Sequence, residues 1–359
     1  MKTKTLTVVE IVIVLCSMLV VAMPAIAAEE DDYVLGIYGN ANEDDTIDMR
    51  DLTYVKLIFF GKKPETELAD AKYDGKINPL DFIQIKLIIV GKENELTVVD
   101  AADRIVTVSM PVERIVPQPT SSYEPTWVLA PGKVVGVTAT AQKEDGYSWL
   151  PGILDKPPVG TYKELDYEKI MEIEPDIVIA SKRAAEEIAE KLEPAGITVI
   201  ALQFVELEKF NPQLKILAKI LGKEEKAEEF ISWRQNHLDP VKEKTEGIEP
   251  KVRVYAEYSD TLWGTGGKGS GIQSVITVAG GYNIVGDAVG YFGYVDPEWV
   301  ILENPEVIFF PAWTEFGPTA LTGYFMDSSE NAEQFIEEAC NRTGLKETDA
   351  VKKWQSLCN

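Results

Sequence analysis

Histidine and cysteine are almost missing from these 359 residues, and positive charge is scarce. The chain has one histidine, His237, and three cysteines, Cys16, Cys340 and Cys358. Imidazole-held zinc, Ser-His-Asp catalysis and bis-histidine haem ligation all need more histidines. A disulfide scaffold or a thiolate zinc site needs more cysteines. Any metal the chain binds directly therefore sees oxygen. Lys and Arg number 35 against 59 Asp and Glu, a formal charge of −24. That excess repels a phosphate backbone and an anionic membrane face, so nucleic acid is excluded as a partner. A hydrophobic content of 45% with 26% charged residues is that of a globular chain, so the acid does not mark disorder. The length predicts about two to three domains.

Residues 1–27 read as a secretory signal: Lys2 and Lys4, an apolar stretch from Leu6 to Met23, then Ala25-Ile26-Ala27 before Ala28. Glu10 shortens the clean apolar core to Ile11–Ala22, less than the ~20 residues a spanning helix needs, so cleavage after Ala27 is expected over retention as an anchor. Leu15 before Cys16 argues against lipidation. No later stretch is long and apolar enough to span a bilayer. The mature chain is expected outside the cytoplasm, soluble or tethered through its N-terminus.

Two matched segments follow. Asn40 to Asp51 leads into LTYVKLIFFGK, and Asp70 to Asp81 leads into FIQIKLIIVGK. Counted from Asn40 and Asp70, oxygen side chains stand at positions 1, 5, 9 and 12 of both, with isoleucine at 8. A hard cation such as Ca²⁺ needs that spacing, with a backbone carbonyl at position 7. The candidate ligands are Asn40, Asn42, Asp44, Thr46, Asp48 and Asp51 in loop one. In loop two they are Asp70, Asp74, Lys76, Asn78 and Asp81, where Thr46 and Lys76 offer only their carbonyls. Solvated Asx turns capping two helices are the alternative reading. Residues 36–92 resemble a dockerin module, which implies a cohesin-like partner or an intramolecular surface. Asp45 stands at position 6, where glycine is usual, and Lys72 at position 3, where an oxygen is usual. Loop one is thus expected to bind calcium with the fuller ligand set.

Beyond an expected linker at 93–103, short β-branched runs alternate with helical stretches, the pattern of parallel sheets covered on both faces. Expected strands include Val134–Val137, Ile177–Ala180, Thr198–Ala201, Val252–Tyr255 and Val307–Phe310. An internal repeat organises them. Asp166, Glu168, Pro175 and Asp176 recur with the same spacing as Asp296, Glu298, Pro305 and Glu306, 130 residues on. In each copy a helix capped by the aspartate stops before the proline and leads into a buried strand. Two α/β lobes follow, at 104–208 and 249–359, with a long helical connector at 209–248 that Gly222 interrupts.

RIVPQP, VLAPGKVVGV, PPVGTYKELDYEKIMEIEPDIVIAS, KILGKEEKAEEF, AGGYNIVG and DPEWVILENPEVIFF together resemble substrate-binding proteins of iron-complex and cobalamin ABC importers, over residues 104–351. The resemblance implies two Rossmann-like lobes joined by a long helix and a ligand held between them, either an iron chelate (siderophore or haem) or a corrinoid. It also implies that Glu168 and Glu298 meet arginines of the permease, although both equally suit the first turn of a helix. The family pattern usually continues further, so the second lobe is expected to stop short at its C-terminus.

Aromatic residues collect in loops expected to face the cleft. Tyr123, Trp127, Tyr147 and Trp149 come from the first lobe, and Trp263, Tyr291 and Trp313 from the second. The run Gly264 to Gly271 fails the phosphate-loop template, since Leu262 and Gly269 occupy its key positions. It is expected to let the backbone approach a ligand, with Lys268 available to an anion. An enzyme of chelatase-like build finds no support, because no base, nucleophile or acid pair stands at catalytic spacing. A surface-assembly protein working through the dockerin-like module is the other alternative.

Overall fold

The two Asx-rich loops fold into a small helical unit, and the alternating runs behind them fold into parallel strands. A computed structural model describes residues 33–142, 147–257, 263–310, 333, 336, 337, 340–342 and 344–358. The expected leader and Trp313 lie outside the described residues. Helix α1 (Met49–Phe59) and helix α2 (Pro79–Ile89) each begin on a capping box, Asp48 with Asp51 and Asn78 with Asp81. Lys56 and Lys86 sit in their last turns, where a cation complements the helix dipole. Leu52, Val55 and Ile58 of α1 pack with Ile85 of α2 around Ala41, Ala69 and Ala71. That is the three-to-four spacing visible in the sequence.

Strand β1 (Glu95–Val99) lies within the expected linker and pairs antiparallel with β2 (Ile105–Ser109). There follow β3 (Ile115–Pro117), α3 (Tyr123–Leu129), α4 (Tyr167–Ile173), β4 (Ile177–Ala180), α5 (Ala185–Leu192) and β5 (Thr198–Ala201). Strands β3, β4 and β5 form one parallel sheet in that order. The expected strand at Val134–Val137 yields only two bridges, Val134 beside Ile115 and Val137 beside Pro158. Pro157 and Pro158 oppose it, and neither has an N–H to extend a ladder. Asp100 and Arg104 cap the outer edge of β5. The Asp100 carboxylate accepts from Ala201 N–H at 3.0 Å, and Arg104 donates to Val199 C=O at 2.8 Å while pairing with Asp100. An edge so occupied is closed to another strand.

The connector is two helices, α6 (Leu207–Leu221) and α7 (Glu224–Thr245), divided at Gly222 as expected. Gly222, at φ +61°, donates its N–H to the Ala218 and Lys219 carbonyls and stops α6. The second half contains β6 (Arg253–Ala256), β7 (Gly264–Thr265), α8 (Gly271–Val278), β8 (Tyr282–Asn283), β9 (Gly293–Tyr294), α9 (Pro297–Glu303), β10 (Val307–Phe309) and α10 (Asp349–Cys358). Its parallel sheet runs β10-β6-β8, and β7 pairs antiparallel with β9.

The helical unit is built into the core of the first half. Leu35, Ile37 and Ile88 share one apolar cluster with Val98, Val106, Leu214, Leu217, Ala218 and Leu221. Lys215 on α6 pairs with the Asp45 carboxylate at 2.7 Å, the two side chains only 12% and 13% exposed. Burial alone would lower the Lys215 pKa, but the Asp45 carboxylate and the nearby Tyr33 outweigh it and the pKa is raised. Lys219 donates to the Ile88 carbonyl at 2.6 Å, which also takes the Gly91 N–H at 3.2 Å at the end of α2. The irregular residue at loop position 6 is thereby explained: Asp45 faces Lys215 on α6.

Breaking a buried pair strands the remaining charge, so Asp45→Asn should lower unfolding stability by about 3 kcal/mol. The double replacement Asp45→Leu with Lys215→Met should cost clearly less. Urea midpoints of the three proteins check both expectations.

Candidate functional site

The sequence repeat is a structural repeat. Helices α4 and α9 begin at Asp166 and Asp296, whose carboxylates accept backbone N–H groups of Lys169 and Glu298 at 2.9 and 2.7 Å. Both helices end on a left-handed residue, Glu174 at φ 51° and Asn304 at φ 45°. An arginine then crosses from the neighbouring strand in each half. Arg114 donates to Glu174 C=O at 2.9 Å, and Arg253 to Asn304 C=O at 3.1 Å. The acid of the next strand closes the unit: Asp176 accepts from Arg114 N–H at 2.8 Å, and Glu306 from Arg253 N–H at 3.0 Å. Glu168 and Glu298 occupy the same place in the first turn of the two helices, and both are exposed. The arginines are the part of the repeat that sequence reasoning missed. They lie 60 and 51 residues before the carbonyls they bond, separations that differ between the copies, so only the fold aligns them.

The expected cleft residues divide. Tyr123 is fully buried in a cluster with Val134, Val137 and Ile153, and its hydroxyl bonds Thr138. Trp127 is 6% exposed and donates from Nε1 to Pro151 C=O at 3.0 Å. Both therefore support the wall from behind. Tyr147 stacks edge-on against Tyr123 and also meets Trp149, which is exposed. In the second half, Trp263 adopts φ +67°, a conformation that costs a bulky residue energy and needs support. Val295 N–H donates to its carbonyl at 3.1 Å, and the Arg342 guanidinium lies 5.3 Å from its ring. Arg342 in turn makes a two-pronged pair with Glu257, at 2.9 and 3.1 Å. Lys268 and Tyr291 belong to two glycine loops stitched together. Gly267 N–H donates to Gly290 C=O at 3.0 Å, and Lys268 N–H to Gly286 C=O at 3.1 Å.

The two Asx-rich loops repeat each other as closely. In loop one the buried Asp51 carboxylate accepts from the N–H groups of Asn42 and Asp48 at 3.2 and 2.7 Å. In loop two Asp81 accepts from Lys72 and Asn78 at 2.9 and 2.7 Å. Position 1 accepts from position 5 in both, Asn40 from Asp44 and Asp70 from Asp74. Burial pushes the Asp51 carboxyl up to about 6 and raises that of Asp81 as well. Arg50 bridges Asp44 and Asp48 at 3.1 and 3.0 Å, so a cation already lies against loop one. Among the described residues no three His, Cys, Asp or Glu side chains converge on a metal position. A cation here would need the amide oxygens of Asn40 and Asn42 and the Thr46 carbonyl in addition, donors that suit Ca²⁺.

The periplasmic binding protein family matches residues 127–355. The chain belongs to that family. Its members are solute-binding proteins rather than enzymes, with an extracytoplasmic location. The chain is similar to the vitamin B12-binding protein of Salmonella paratyphi A, 27% identical over 198 residues, covering 51% of this chain and 74% of that one. It is similar to the iron-uptake system-binding protein of Bacillus subtilis, 34% identical over 93 residues, 26% of this chain and 29% of that one. The molybdate-bound structure of MolA from Haemophilus influenzae shares the fold, with a TM-score of 0.58 and 19% identity over 72% of this chain and 81% of that one. Among the described residues of this periplasmic binding protein no helix is long and apolar enough to cross a membrane.

A methyl group at Gly267 would run into the carbonyl oxygens of Val289 and Gly286. Gly267→Ala should therefore force the two glycine loops apart and destabilise the protein by about 2 kcal/mol, read from its urea midpoint.

Proposed function

We propose that the chain is an extracytoplasmic receptor that captures an iron chelate, such as a ferric siderophore or haem, or a corrinoid, and delivers it to an ABC importer. The observation that carries this reading is the paired presentation of Glu168 and Glu298 on matched capped helices, in a chain belonging to a solute-binding family. Two equivalent exposed carboxylates suit a two-sided permease whose docking groups are arginines. The single histidine favours a complete chelate, packed and hydrogen-bonded, over direct capture of a bare metal ion. Trp149, Trp263, Tyr291, Lys268 and Tyr147 are the ligand contacts we assign, and Trp313 is kept as a sequence-based candidate. The leader is read as cleaved, leaving the receptor soluble or held at the surface by its partners.

Tryptophan fluorescence titration with ferric siderophores, haem and cobalamin tests the capture step, and quenching by at least one of them is expected. Glu168→Ala with Glu298→Ala should leave that affinity unchanged while abolishing transport into vesicles carrying the cognate permease.

The same reading gives the N-terminal unit calcium. Its two loops share one hydrogen-bond pattern at a 12-residue register, and Asn40, Asn42, Asp44, Thr46 and Asp51 would hold the ion in loop one. Bound Ca²⁺ would supply positive charge that orders the loop. Met49, Phe60, Leu80 and Ile83 stay exposed on this unit, a surface open to a cohesin-like partner. One millimolar Ca²⁺, compared with EDTA, should raise the melting temperature by roughly 5 °C, and Asp44→Ala should remove most of that gain.

A further inference from the structure

Seven arginines occur in the chain, and all are among the described residues. Arg50, Arg104, Arg253 and Arg342 meet carboxylates, while Arg114 and Arg234 donate to backbone or amide oxygens. Arg183 differs from all six. Among the described residues it makes no hydrogen bond and no ion pair, and its guanidinium carbon lies 4.4 Å from the ring centre of Tyr291. In a chain with 59 acidic side chains, an arginine that pairs with no carboxylate among the described residues, even with Glu186 and Glu187 close in sequence, calls for an explanation.

Its place in the fold supplies one. Arg183 follows β4 directly, at the carboxyl end of the first parallel sheet. Tyr291 belongs to the loop after β8, at the carboxyl end of a strand in the second sheet. The contact between them thus spans the two halves where open α/β sheets hold ligands. Both sides are fixed from beneath. Gln118, 1% exposed at the end of β3, accepts from Ser181 N–H at 3.2 Å and donates to Tyr162 C=O at 3.0 Å, anchoring the turn that carries Arg183. The Tyr291 loop is stitched to the Gly266–Gly269 segment through Gly267 and Lys268, and the Lys268 side chain is exposed with no ion pair among the described residues. A guanidinium backed by a ring is screened from water on one face, yet its five N–H donors still point outward in a planar fork. That fork matches paired oxygens of carboxylate, catecholate or an inorganic oxyanion.

From this geometry we infer that the transported ligand is an anion, read by Arg183 with Tyr291 behind it and Lys268 beside it. The inference rests on the receptor reading above and narrows its ligand class. Anionic oxygen-ligated chelates fit, and neutral corrinoids or neutral hydroxamate chelates do not.

Calorimetric titration of the full chain with a ferric tricatecholate, a neutral ferric trihydroxamate and cyanocobalamin tests it. The tricatecholate should bind at least about tenfold tighter than either neutral ligand, with affinity falling as salt rises. Arg183→Gln should weaken the anion by about tenfold or more and flatten the salt dependence, and Arg183→Lys should restore part of the loss. A structural role would not produce that pattern, and an unchanged urea midpoint for Arg183→Gln confirms folding. Sodium molybdate as a further ligand separates a bare oxyanion from an anionic chelate, and Arg183-dependent binding of either supports the inference. If a neutral ligand binds tightly and Arg183→Gln leaves it unchanged, the receptor reading stands and the inference is overturned. If no ligand of either charge binds, both are overturned.

Discussion

Each half of the receptor is registered by one clamp. An arginine at the start of a strand reaches the carbonyl of a left-handed helix stop, and the acid of the adjacent strand takes that arginine's own backbone N–H. The clamp fixes how far the central strand slides against its neighbour, since a one-residue slip would break every member of it and reverse the buried face. The ends of β4 and β8, the turn carrying Arg183 and the loop carrying Tyr291 all inherit their positions from that register. So do the exposed glutamates, which ride on the helices that the stops terminate.

Much of this was legible in the sequence because it is local. Ile177–Ala180 and Thr198–Ala201 are strands with the expected bounds, and Asp166 and Asp296 cap their helices as their spacing implies. Gly222 breaks the connector because a C-terminal glycine carries its own conformational signal. The missed features are those whose partners lie far along the chain. β1 looked like linker because Glu95-Leu-Thr-Val-Val is short and follows a charged stretch, and only its pairing with β2 makes it a strand. Tyr123 and Trp127 read as cleft aromatics, yet an aromatic ring suits a buried wall as well as an open one, and packing decides between them. Arg183 carries no local mark at all. Its distinction is the Tyr291 ring beneath its guanidinium, 108 residues along the chain, which only a folded molecule displays.

The N-terminal unit illustrates the reverse case, where a departure from pattern turns out to be informative. Asp45 is an odd residue within its loop and a sensible one beside Lys215. The unit's two loops share one hydrogen-bond pattern, while Leu35, Ile37 and Ile88 have joined the core of the first half. Sequence resemblance to a free-standing module and structural integration into a larger body are compatible, because the first depends on the loops and the second on Leu35 and Ile37 ahead of them and Ile88 at the end of α2.

The second connector helix leaves most of its surface unburied. Of its 22 residues, α7 buries only Ala227 and Ile231, both near its start, and Phe230 and Trp233 continue a run of stacked rings from Phe204 and Phe210 as far as His237. Beyond His237 the helix has Pro240 inside it and little tertiary packing. Its stiffness is therefore graded, glued at one end and elastic at the other, like a cantilever. A load on the second half would be taken up first in the turns around Pro240, which bury no side chain, before it reached the ringed root.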